Sequence, residues 1–143
     1  MMEPGKAYMD ILELIPQRPP VVMVSALISV DGNSATTLLR VEKDNLFVKN
    51  GIFNESGLVE HIAQSVAVMN GYAARARGES VRTGYIGAVK DLKIHALPEA
   101  GATLKTHVRE ETSVLNASII RGEVRQGGRL VAECEMKVFL QDP

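Results

Sequence analysis

The feature that most constrains this chain is a long helical stretch with almost no charge on it. From Leu58 to about Arg77 the apolar residues recur with helical period. At about 100° per residue, Leu58, Val59, Ile62, Ala63, Val66, Ala67, Met69, Ala73 and Ala74 fall on one half of the wheel. Between Leu58 and Ala74 a single residue, Glu60, carries a formal charge at neutral pH. A helix this poor in charge is wrapped by protein and does not lie on a surface. Ser56 is the expected N-cap. Gly78 is the expected stop, and Arg75 and Arg77 suit the negative end of the helix dipole.

The flanking sequence must supply the wrapping. Residues 7–15 form a short amphipathic stretch that Pro16 and the Pro19-Pro20 pair terminate. The run from Val21 to Ile28 reads as a strand, and the turn Asp31-Gly32-Asn33 connects it to a second strand, Ser34 to Val41, with Ala35, Thr37, Leu39 and Val41 on one face. Residues 42–56 are polar and turn-rich, with the apolar anchors Leu46-Phe47-Val48 and Ile52-Phe53. After the helix come strand-like segments at Val81–Ile94, Thr103–Glu111, Val114–Val124 and Leu130–Leu140. Gly101, Thr112-Ser113 and Gln126-Gly127-Gly128 separate them, the last as a hairpin turn. One long helix cannot bury itself, so an antiparallel sheet must curve around it, an α+β arrangement known as the hotdog fold. A chain of 143 residues supports one such domain, spanning residues 1–143.

Composition excludes several classes of function. Sixteen basic and seventeen acidic residues leave no net field for nucleic acid or an anionic membrane. One cysteine allows no disulfide framework, and no pair of the three histidines has metal-ligand spacing, so no metal is expected. Cys134, flanked by Glu133 and Glu135, reads as a half-buried structural thiol whose pKa the carboxylates raise. Neither a leader nor an apolar run long enough to span a bilayer is visible, and the default expectation is a reduced cytoplasm.

Several segments together carry a family resemblance. Leu14-Ile15-Pro16-Gln17-Arg18-Pro19-Pro20 before Val21-Val22-Met23-Val24 resembles the opening of the β-hydroxyacyl-[acyl carrier protein] dehydratases, where Leu-Pro-His-Arg-x-Pro leads into the first strand. Glu60-His61-Ile62-Ala63-Gln64 resembles that family's Glu-Ala-Met-Ala-Gln, and Asn50-Gly51-Ile52-Phe53 its Gly-His-Phe. Arg82-x-Gly84-Tyr85-Ile86-Gly87 and Lys137-Val138-Phe139 are closer to the short dehydratase-like hotdog proteins of aryl-polyene and flexirubin-type pigment clusters. The resemblance covers essentially the whole chain. It implies dehydration of a 3-hydroxyacyl thioester carried on the phosphopantetheine of acyl carrier protein or on coenzyme A, with no other cofactor. In the family a histidine removes the α-proton, the helix carboxylate assists loss of the hydroxyl, and backbone N–H groups at the helix start polarise the carbonyl. Here Ile52 stands at the histidine position, and Gln17 stands where many relatives have histidine outside that catalytic pair.

Glu60 and Gln64, at i and i+4, share one edge of the apolar arc and are the core of the candidate catalytic set. His61 is a candidate replacement base, but helix geometry turns it about 100° from Glu60; a boundary or subunit-interface histidine is the alternative. Gly57 and Leu58 offer helix-start N–H groups suited to an oxyanion. Ile52 and Phe53, together with Gly84, Tyr85 and Ile86, are expected to border the acyl site. Arg75, Arg77, Arg82 and Lys90 could meet a phosphopantetheine phosphate or an acidic carrier, although scattered basic residues are more often simply solvated. An open sheet edge beside the crevice implies a homodimer or a heterodimer with a paralogous hotdog subunit. Two other functions fit the residues: a thioesterase working with Glu60 alone, and a non-catalytic subunit that completes another protein's site.

Overall fold

The computed structural model describes residues 6–141; the expectation about a leader falls on Met1–Gly5, outside the described residues. The uncharged stretch forms one helix, α1 (Glu55–Ala76). It starts three residues earlier than the wheel suggests. Its cap is Asn54, whose side chain accepts a hydrogen bond from Gly57 N–H at 2.9 Å. Ser56, the expected cap, sits inside the first turn and faces solvent. At the far end Gly78 takes φ +72° and stops the helix as expected.

A short 3-10 turn (Ile11–Glu13) precedes the sheet strands. The strands are β1 (Ala26–Asp31), β2 (Ser34–Arg40), β3 (Val48–Lys49), β4 (Ile52–Phe53), β5 (Gly84–Ile94), β6 (Thr103–Val114), β7 (Ala117–Gln126) and β8 (Arg129–Leu140). Six of them form one antiparallel sheet in the order β1-β2-β6-β7-β8-β5, and β3 and β4 form a small separate hairpin. The large sheet wraps α1, which packs on β2, β6 and β7. This is the hotdog arrangement. Alternation delivers the core: Leu104, Thr106 and Val108 of β6 point inward while Lys105, His107 and Arg109 point outward. Among the described residues, no helix is long and apolar enough to cross a membrane.

Three expectations need correction. The run Val21–Val24 is not strand; β1 begins at Ala26, and the earlier backbone is held by helix side chains. Thr112-Ser113 is not a break but lies inside β6, which absorbs a register shift between Glu110 and Thr112 and turns at Leu115, φ +58°. Cys134 is fully buried, and burial, not its neighbouring carboxylates, pushes its thiol up to about 11.

The two outer strands of the sheet end differently. The β1 edge is partly covered, because Tyr8 and Leu27 exchange backbone hydrogen bonds of 2.7 and 2.9 Å. The β5 edge has only β8 beside it, and Tyr85, Val89 and Leu92 along β5 are exposed.

Candidate active site

Glu60 projects from the second turn of α1 into a pocket of about 210 Å³. One wall is the helix itself, where Ala63, Ala67 and Asn70 continue the stripe that Glu60 starts. The facing wall comes from the start of β5, at Gly84, Tyr85 and Ile86, and from Val138 and Leu140 of β8. Gln17 also borders the pocket. The sequence expectation for Gly84, Tyr85 and Ile86 thus corresponds to their place on the pocket wall. Tyr85 stacks on Phe139, with ring centroids 5.6 Å apart, and Lys137 lies over the same ring.

The Glu60 carboxylate is fixed from one side. Gln64 Nε2 donates to Glu60 Oε1 at 2.7 Å. The same amide nitrogen donates to Val21 O at 2.8 Å, while Gln64 Oε1 accepts from Met23 N–H at 2.6 Å. Gln64 is fully buried and uses both donors and its acceptor, so it positions Glu60 and does not border the pocket. Glu60 Oε2 has no partner among the described residues.

His61 points the other way, and its candidacy as the replacement base fails on geometry. It is fully buried. Its Nδ1 is 2.6 Å from Met23 O and its Nε2 is 2.6 Å from Thr106 Oγ1. A carbonyl only accepts, so Nδ1 carries the hydrogen and Nε2 accepts from the threonine hydroxyl. Burial holds the ring's pKa down to about 4. One turn on, Ser65 Oγ donates to His61 O and lies 2.8 Å from Thr37 Oγ1, which completes a buried polar set between helix and sheet.

The helix-start pair also lies elsewhere. Gly57 N–H is committed to Asn54 Oδ1 and Leu58 N–H to Asn54 O at 3.2 Å, and neither residue borders the Glu60 pocket. Gly57 is glycine for packing reasons: a Cβ there would fall 2.6 Å from the Phe53 ring. Ile52 and Phe53 form β4, with Phe53 buried and Ile52 bridged to Glu99. Neither faces Glu60, so the residue at the family's histidine position is not across the pocket from this chain's own carboxylate.

Two pocket residues carry more weight than their sequence signals gave them. Asn70 falls within about 80° of Glu60 on the wheel, a polar position on an otherwise small-residue stripe. Gln17 sits in an irregular segment, where no periodicity reports its direction. Of the basic residues, Arg75 pairs with Glu13 at 3.2 Å and Arg77 with Glu79 at 2.8 Å. Arg82 borders the pocket and donates from Nε to Gln141 O. Among the described residues no group of three or more metal-ligating side chains comes together.

A family model described as ApeP-like: ApeP dehydratase matches residues 9–143. Among curated proteins, the 3-hydroxyacyl-[acyl-carrier-protein] dehydratase FabZ of Methylobacterium sp. (strain 4-46) is 26% identical over 136 residues, covering 91% of this chain and 82% of that one. Among solved structures, the dehydratase heterocomplex ApeI:P from Xenorhabdus doucetiae superposes with a TM-score of 0.88 at 17% identity, covering 94% of this chain and 93% of that one. A hypothetical thioesterase from Streptococcus pneumoniae, solved with coenzyme A, gives 0.64 at 9% identity, covering 80% and 84%. These structural likenesses establish the shared fold.

Proposed function

The chain belongs to the ApeP-like dehydratase family, and from that premise we propose that it is the carboxylate-bearing half of a 3-hydroxyacyl thioester dehydratase whose base comes from a second hotdog subunit. The observation that carries this reading is the separation of Glu60 from Ile52. The Glu60 pocket holds a carboxyl group with one open oxygen and no histidine, while the family's histidine position lies outside it. A site built this way takes its base from across a subunit interface. A pair of identical chains would offer an isoleucine there, which cannot accept a proton. A heterodimer whose other subunit retains the histidine would offer a complete pair.

The steps are those of a β-elimination. The partner's base removes a proton from C2. Glu60, in its acid form, gives the Oε2 proton to the C3 hydroxyl. The C2–H electron pair becomes the C2=C3 double bond, the C3–O bond breaks, and water leaves. Gln64 keeps Oε1 occupied as an acceptor, so the proton to be given resides on the oxygen that faces the pocket. The substrate is an acyl thioester on acyl carrier protein or coenzyme A. The ApeI:P heterocomplex, named as a dehydratase of two subunits, supports the pairing, and the FabZ relatives support the reaction class.

The test is reconstitution. The chain alone is compared with the chain mixed with a hotdog subunit from the same genome that carries the Gly-His-Phe histidine, and enoyl thioester formation is followed by absorbance and mass. Activity is expected only from the mixture, and replacing the partner's histidine by alanine should abolish it. Equal rates from the chain alone would overturn the reading. A second reading, thioester hydrolysis, draws on the lone open carboxylate, which could activate a water without a second base. Free thiol without enoyl product would favour it.

A further inference from the structure

Glu60, Ala63, Ala67 and Asn70 lie on one stripe of α1, at spacings of three and four residues, and border one cavity. All four are half-buried, while the residues between them from His61 to Met69 are buried. Past the carboxylate the stripe is alanine, and Ile86, Val138 and Leu140 line the same cavity. Ten residues at about 1.5 Å each put Asn70 about 15 Å from Glu60 along the helix axis. At Asn70 the character of the walls changes. Asn70, Arg82 and Leu140 also border a second cavity of about 250 Å³, whose other walls include Asn33, Arg77 and Glu110. The Asn70 amide has no hydrogen-bond partner among the described residues. It is not shielded either. Gln17 Oε1 is the one buried side-chain oxygen or nitrogen left without a partner among those residues, so both polar atoms of Asn70 are open to water.

We propose that Asn70 is a specificity-determining residue that sets the length of hydrocarbon the site accepts, through its polarity and not its bulk. This inference rests on the dehydratase reading above. An acyl chain with C3 at Glu60 runs along Ala63 and Ala67, where hydrocarbon displaces water from apolar walls. Alanine side chains offer the amides of a pantetheine arm no partners, so the arm leaves on the other side of Glu60. Each methylene added up to Asn70 gains burial. A chain end that reaches Asn70 strips water from an amide and offers it no hydrogen bond in return. A longer chain next meets Arg77, Arg82 and Glu110, with the same result. An extended chain advances about 1.2 Å per bond, so Asn70 is reached about twelve bonds past C3. The second cavity has room for hydrocarbon, and its polar threshold keeps hydrocarbon out.

The test measures kcat/KM of the reconstituted two-subunit enzyme over a series of straight-chain 3-hydroxyacyl thioesters. In the wild type it should rise by up to about fourfold per methylene and then fall once the chain passes Asn70. Asn70→Leu keeps the shape of the side chain and removes its polarity. For a chain four carbons past the wild-type limit, kcat/KM should rise about tenfold, the effect of no longer stranding a polar group. Chains that end short of Asn70 should stay within twofold of wild type. Tm should be unchanged or higher, because no hydrogen bond is lost and leucine is the better helix former. Asn70→Ala should relax the limit in the same way. An Asn70→Leu enzyme with the wild-type length profile overturns the role of Asn70 and leaves the dehydratase reading intact. So does a wild-type rate that keeps climbing past the limit. A wild-type complex that forms no enoyl product at any chain length overturns both.

Discussion

Glu60 and His61 are neighbours in sequence and opposites in circumstance. His61 faces the sheet, where both ring nitrogens are engaged, its carbonyl accepts from Ser65, and the Ser65 hydroxyl meets Thr37. Glu60 faces a pocket where one of its carboxylate oxygens is without a donor. Both regions are polar, and both sit on one helix against the core. What separates them is satisfaction. A buried polar set with every group matched is scaffold, because it has nothing left to offer a substrate. A carboxylate with one open oxygen on a pocket wall still has an acceptor left to offer. Residue type alone does not report this: the histidine is the fully engaged group, and the carboxylate beside it keeps an open oxygen.

The comparison can be broken most directly at Glu60. In the reconstituted enzyme Glu60→Gln should lower the rate by at least about 10²- to 10⁴-fold, the usual contribution of general acid–base catalysis, with Tm unchanged. His61→Ala should do the reverse. It leaves a cavity and strands Thr106 and the Met23 carbonyl, so unfolding free energy should drop by about 3–4 kcal/mol in urea titration. Activity per folded molecule should stay within a few-fold of wild type; a larger loss would mean that His61 takes part in the chemistry.

Acid sharpens the same contrast. The His61 pKa is about 4 in the fold against an ordinary value of 6.5, so the unfolded chain takes up the proton first as pH falls. Stability from this group is complete above pH 6.5 and declines between 6.5 and 4, by about 3 kcal/mol in total. His61→Gln should flatten that part of the stability–pH curve relative to wild type, and parallel curves would show that the ring is not held neutral. The smallest effect is expected at Gln64, which acts through Glu60. Gln64→Met should lower kcat by about tenfold with little change in KM, consistent with a lost hydrogen bond to the carboxylate.

How much of this was legible follows from the forces at each position. The central helix declares itself because apolar period and absence of charge persist over many residues. The hairpin at Gly127-Gly128 does so because both glycines take positive φ. The run Val21–Val24 misleads: it has the composition of a strand, yet its backbone groups bond to Gln64 and His61 from a helix some forty residues away, which no local pattern reports. The cap falls at Asn54, whose side chain accepts from Gly57 N–H, rather than at Ser56 inside the first turn. In the site, Glu60 and the wall at Gly84, Tyr85 and Ile86 could be read from motif and period. The place of Ile52 outside the Glu60 pocket could not, because it is a relation between segments that meet only after folding.

One end of the sheet has a consequence beyond chemistry. At β1 the chain folds a piece of itself back over the border, through Tyr8 and Leu27. At β5 it leaves a border of eleven residues with Tyr85, Val89 and Leu92 uncovered. A copy that waits alone presents that border to whichever extended segment arrives first, including one from a half-made protein. Waiting time then becomes a hazard in its own right, and the supply of a matching neighbour governs how many copies survive to be useful as much as how well any of them works.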